Sequence, residues 1–94
     1  MANEDLEWDK AKSAANLAKH GVSFEQAREA FNDPFAIDFA DDREDYDEDR
    51  VILLGMVENR LLVIAHTLRG EKVRIISARE AEPHERRKYH EANR

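Results

Sequence analysis

RVILLGMV (residues 50–57), LLVIAHT (61–67) and KVRIIS (72–77) decide the fold. Each is apolar and rich in branched residues, and turns of a few residues separate them: Glu58-Asn59-Arg60 and Leu68–Glu71 around Gly70. Such spacing predicts three strands in an antiparallel meander. Gly55 is a candidate bulge within the first. Upstream, Phe35, Ile37 and Phe39 alternate with Ala36, Asp38 and Ala40, which predicts a fourth, half-buried strand.

Helices flank this block. The spacing of Ala11, Ala14, Ala15 and Ala18 predicts a helix over about Asp9–His20, its small face close against a sheet. Asp9 is a suitable N-cap, and Lys19 and His20 complement the helix dipole before Gly21 ends it. Ser23-Phe24-Glu25-Gln26 reads as a capping box opening a second helix over about Phe24–Phe31, with Val22 and Ala27 as the hydrophobic staple. Pro34 stops that helix at Asp33. Glu82–Asn93 is a terminal helix with Pro83 at its first position. The order α-α-β-β-β-β-α predicts one α+β domain over residues 1–94. Two N-terminal helices pack on a four-stranded, mainly antiparallel sheet, and a C-terminal helix follows.

The chain has 94 residues, no cysteine and a net charge of −6. Disulfides and cysteine metal sites are excluded. No apolar stretch approaches the roughly 20 residues of a membrane helix. The acidic N-terminus lacks the apolar core of a signal peptide. A soluble cytoplasmic protein without membrane contact is expected. The charge is uneven: residues 1–40 carry −4, residues 41–50 carry −5 and residues 51–94 carry +3. Such asymmetry suggests separate binding surfaces.

Metal chemistry finds little support. Residues 45–49 copy the start of a calcium loop, but Arg50 and Met56 stand where Gly and Glu are required. His84-Glu85 opens like a zincin helix, but Lys88 replaces the second His. No metal and no cofactor are expected. Ser13, Ser23 and Ser77 lack the setting of a nucleophile. A cationic set remains around the last strands: His66, Thr67, Arg69, Lys72, Arg74 and Arg79, with Arg86, Arg87 and Lys88 on the terminal helix. It suits RNA cleavage by the substrate's own 2′-hydroxyl. That reaction needs a base, a proton for the leaving 5′-oxygen and cations for the phosphorane.

Several segments carry a resemblance. They are EWD (7–9) with Lys12, NLAKHGVSFEQA (16–27), Phe31, Asp33-Pro34, RVILLG (50–55), LLVIAHT (61–67), RIISAR (74–79), and ERR (85–87) with Tyr89. In this order and spacing, over about residues 6–90, the chain resembles the BrnT family of bacterial toxins. The resemblance implies a compact RelE-like ribonuclease fold, with Glu7-Trp8 as a short extra strand. It implies an endoribonuclease that cleaves RNA, free or on the ribosome, and inhibits translation. It implies neutralisation by a BrnA-type ribbon-helix-helix antitoxin, through which alone the pair contacts operator DNA. Carried onto this chain, it assigns proton transfer to Lys19 and His66. Phosphate binding falls to Arg79 with Arg69 or Arg74, and RNA contacts to His20 and Arg86. The alternative is a binding module without catalysis, acting only as the antitoxin's partner in autoregulation. Seven carboxylates within residues 41–49 would repel RNA beside the site. That run is expected to steer a basic antitoxin segment, with association slowing at high ionic strength.

Overall fold

The computed structural model describes residues 5–41 and 49–94. The elements run β1 (Leu6–Glu7), α1 (Lys10–His20), α2 (Phe24–Arg28), a 3-10 turn (Glu29–Asn32), β2 (Ile37–Ala40), β3 (Val51–Val57), β4 (Arg60–Arg69), β5 (Lys72–Glu80) and α3 (Pro83–Ala92). The sheet order is β1-β5-β4-β3-β2. The meander β2 to β5 is antiparallel, as its turns predict, but β1 joins β5 in parallel and makes the sheet five-stranded and mixed. The expected four-stranded sheet is corrected accordingly. The second expected helix is also shorter, since its last turn tightens into the 3-10 segment. The acidic run falls mostly outside the described residues.

Local signals fix the helix ends. Asp9 Oδ1 accepts from the Lys12 amide at 3.0 Å. Ser23 and Gln26 form the reciprocal capping box, with bonds of 3.1 and 2.8 Å. Gly21 takes φ 75°, the left-handed conformation that terminates α1.

The docking of α1 departs from expectation. Ala11, Ala14, Ala15 and Ala18 are exposed, and the buried residues are Ser13 and Asn16. The reason lies at the sheet edge. β1 pairs only with Val73 and Arg74, so among the described residues the outer edge of β5 beyond them has no neighbouring strand. Asn16 substitutes for one. Its Nδ2 donates to the Ala78 carbonyl at 2.8 Å and its Oδ1 accepts from the Ala78 amide at 3.3 Å. A primary amide offers the same donor and acceptor as a peptide group, so the buried edge is satisfied. Ser13 likewise accepts from the Phe24 amide and donates to Glu25.

Both faces of the sheet are covered. α1 and α2 sit over Leu53, Leu62, Ile64, Ile75 and Ala78. α3 sits over Ile52, Leu54, Leu61, Val63 and Ala65. Strand β4 is therefore buried from Leu61 to Thr67. Gly55 is no bulge, since it pairs regularly with Leu62. A Cβ there would stand 2.6 Å from the Ala30 carbonyl oxygen, so glycine is what lets the 3-10 turn lie on β3. The bulge is in β5. Ala65 pairs with Ser77 and His66 with Ile75, which leaves Ile76 extra and reverses the alternation beyond it.

Gly55→Ala is expected to destabilise the protein by about 1–3 kcal/mol through overpacking against backbone that cannot yield. Urea unfolding measures this, and an unchanged midpoint would show that the 3-10 turn moves freely.

Candidate functional site

The bulge and α3 together shape a groove. Because Ile76 is extra, Ile75 and Ala78 face α1 and α2, whereas Arg79 faces α3. Arg79 borders a groove of about 530 Å³ between the sheet and α3. Phe39, Ile52 and Val63 form an apolar floor, and Glu82, His84, Glu85 and Lys88 form the helical wall.

The charged groups are tightly disposed. Arg79 Nη1 and Nη2 donate to Glu85 Oε1 and Oε2 at 2.9 and 2.8 Å, a bidentate fork. Arg79 Nη1 also donates to the Glu80 carbonyl at 3.1 Å. The Glu85 side chain is only 12% exposed. Burial alone would raise its pKa, but the Arg79 fork and the Glu82 amide outweigh it and hold the carboxyl below its ordinary value. Glu85 is thus a carboxylate at neutral pH. His84 Nε2 stands 4.0 Å from Glu85 Oε2 and is open to solvent. Lys88 Nζ stands 3.5 Å from the centroid of the Phe39 ring. An ionised acceptor, an imidazole and two cations therefore converge on one groove.

Donor atoms of Glu82, His84 and Glu85 lie within 4.8 Å of one another, a spacing that suits a divalent ion. Both Glu85 oxygens, however, already accept from a guanidinium, whose positive charge opposes a cation there.

The expected constellation of Lys19, His66 and Arg79 is not assembled. Lys19 and His20 are exposed on the last turn of α1, beside Gly21, whose carbonyl accepts from Arg60 at 3.3 Å. Arg60 opens β4 and His66 lies six residues on, about 20 Å along the strand. His66 belongs to the opposite face from Arg79. It alternates with Leu62 and Ile64, and its ring meets Phe31 edge-on at 5.2 Å. It lines a separate cavity of about 370 Å³ with Asp38, Asp49 and Leu68. Burial lowers its pKa against smaller opposing effects of the Ile64 carbonyl and Asp38, so His66 is neutral at pH 7. Neighbouring Thr67 donates to the Asp49 carbonyl at 2.6 Å.

Among the expected phosphate and RNA contacts, Arg74 is paired with Glu7 at 3.0 Å and ties β1 to β5. Arg69 is exposed at the end of β4, and Arg86 is half-buried on α3 without lining the groove. Only Arg79 of the assigned residues lies in it. Glu85, which matches a polar position of the family pattern, was given no role from the sequence; it stands in the ERR segment six residues after Arg79, across the short link into α3.

A small mixed sheet presenting a cation–carboxylate groove is a scaffold suited to phosphodiester chemistry. Residues 8–85 match the family described as the ribonuclease toxin BrnT of type II toxin–antitoxin systems. That span is most of the chain, and the protein belongs to this family. No curated protein matches the sequence. Among the described residues, no helix is long and apolar enough to cross a membrane.

Removing the fork should release the Glu85 carboxyl. Its folded-state pKa is depressed, so its stabilising contribution is present above the unfolded-state value and is lost as pH falls through the folded-state value. In Arg79→Met the Glu85 titration followed by carboxyl NMR is expected to move to higher pH, and the share of acid destabilisation that Glu85 contributes to shrink, because its folded-state value moves up toward the unfolded-state one. An unmoved titration would show that the Glu82 amide alone holds the charge.

Proposed function

We propose that this protein is a metal-independent endoribonuclease and that the groove between the sheet and α3 is its active site. The observation that carries the reading is the Arg79–Glu85 fork with His84 beside it. Glu85, ionised, takes the proton of the RNA 2′-hydroxyl. The new O2′–P bond forms as the P–O5′ bond breaks. His84 in its protonated form gives the proton to the leaving 5′-oxygen. The products are a 2′,3′-cyclic phosphate and a 5′-hydroxyl. Arg79 exchanges its carboxylate partner for the non-bridging phosphate oxygens, which match the same fork. Lys88 adds charge to stabilise the phosphorane.

In this reading the RelE-like resemblance describes the layout: N-terminal helices on one face of the sheet and the reactive groups on the other. The chain acts on cytoplasmic RNA and inhibits translation until a BrnA-type antitoxin neutralises it. Lys19 and His66, assigned proton transfer by resemblance, lie away from the fork and have no role in the chemistry.

The test is cleavage of total RNA by the purified protein in excess EDTA. Wild type is expected to cut. Glu85→Gln and Arg79→Met are each expected to lose about 10²–10⁴-fold in rate. His66→Ala is expected to keep the rate near wild type if the fold survives, which a thermal melt checks. Cleavage lost in EDTA and restored by a divalent ion would instead support a metal at Glu82, His84 and Glu85. No cleavage under either condition, together with no growth arrest on expression alone, would favour the binding module.

A further inference from the structure

The chemistry above leaves the aromatic floor of the groove without a task. Phe39 on β2 is half-buried in the cluster under α3 and lines the groove. Its register neighbours are Ile52 on β3, then Ala65 on β4, then Ser77 on β5. Beyond Ile52 the side chains of this row are small, which leaves room along it. Arg79 lies on the adjacent row and three strands away, about 14 Å at ordinary strand spacing. Lys88 stands between the two walls, its ammonium on the Phe39 ring at 3.5 Å. The ring is therefore already used as a π surface, by a cation attracted to its face.

We propose that Phe39 is the platform for one unpaired nucleobase of the substrate, adjacent to the phosphate held at Arg79. The proposal rests on the ribonuclease reading for its ligand class and adds what that reading lacks, the selection of single-stranded RNA. Every base has a π face, so a stacked aromatic contact accepts an unpaired nucleotide whatever its sequence. A base inside a duplex is stacked on both faces and cannot offer one to Phe39 without being extruded. Lys88 links the two subsites. On entry the base displaces the ammonium from the ring, and the flexible lysine stem carries it to the phosphate of the same strand. Phe39 is a binding residue here, with no share in proton transfer.

The test uses the full chain and a fluorescently labelled 2′-O-methyl RNA strand of about eight nucleotides, which binds but lacks the nucleophile. Anisotropy titrations compare the single strand, its duplex, and strands with one abasic site at each position in turn. The single strand is expected to bind at least about tenfold tighter than the duplex. One abasic position should weaken binding to wild type about tenfold. Phe39→Leu should lose the same factor with the intact strand and show no further loss at that abasic position, whereas Phe39→Trp should retain affinity. Wild type without any sensitive position, or with no measurable binding, overturns the proposal. So does Phe39→Leu binding the intact strand like wild type. The abasic arm uses unaltered protein, so a misfolded variant does not decide the outcome. Because no cleavage is measured, a protein that fails to cut RNA yet shows the abasic coupling would refute the nuclease reading and keep the platform.

Discussion

The Asp33 carboxylate holds together three parts of the chain that the groove requires. Its Oδ1 accepts from the Phe35 amide at 2.9 Å, and its Oδ2 accepts from the Met56 amide at 2.7 Å and the Tyr89 hydroxyl at 2.6 Å. The end of the 3-10 turn, the end of β3 and the second half of α3 thus meet at one side chain. Burial would raise the pKa of Asp33, but these three donors outweigh it and keep the group ionised. The same contact acts in the opposite sense on its partner, since burial and the Asp33 charge together push Tyr89 up to about 12. Asn93 adds a second tie, donating to the Phe35 carbonyl at 2.9 Å. α3 is a short, polar helix whose inward anchor is Tyr89, so apolar burial alone fixes it weakly. A charge-assisted bond at that anchor sets where His84 and Glu85, a little over one turn earlier, and Lys88, the preceding residue, stand on the same helix.

The parts of this arrangement that are local in the chain were legible in the sequence. Asp9, Ser23 with Gln26, Gly21 and Pro83 each act on backbone within about one helical turn, so their spacing alone predicts the caps and ends. The meander was legible because its turns are short. Asn32-Asp33-Pro34 also stops its helix as expected, yet nothing in that stretch announces that Asp33 bonds residues 23 and 56 positions away. Asn16 is a similar case. Helical periodicity favoured the alanine face, because periodicity counts apolar residues and cannot register a polar side chain that completes a sheet edge 62 residues away. The extra residue at Ile76 was overlooked although the doubled Ile75-Ile76 breaks the polar–apolar alternation of RIISAR at that point, and one unpaired residue exchanges the faces of everything beyond it.

That exchange helps explain why the expected residues are divided between the two faces of the sheet. The cations near the last strands read as one set in the sequence, but the sheet has two covered faces and distributes them. His66 went to the α1–α2 side, and Arg74 was drawn into a pair with Glu7 to hold the short β1. Arg79 went to the α3 side, where the helix supplies its partner. The sequence lists these residues by type, while their grouping depended on register.

The Arg79–Glu85 fork has two consequences that follow from the same geometry. As a structural link it closes the strand-to-helix corner, since Glu85 Oε1 also accepts from the Glu82 amide at 2.8 Å. As an electrostatic device it keeps a mostly buried carboxylate ionised, and it holds a guanidinium in an orientation that would also suit a phosphate. Carboxylate and phosphate present similar pairs of oxygens to the fork, so in the proposed reaction substrate entry would be an exchange of partners rather than the creation of a new cationic site. In the proposed reaction the exchange would free Glu85 as a base at the moment phosphate arrives, because the arginine that held its proton affinity down would then serve the substrate. A carboxylate that becomes more basic on losing its guanidinium is a better acceptor for the 2′-hydroxyl proton, and its surroundings exclude much of the water that would compete. The negative net charge of the chain is thus compatible with RNA chemistry, since the relevant cations are held by local acids until a phosphate replaces them.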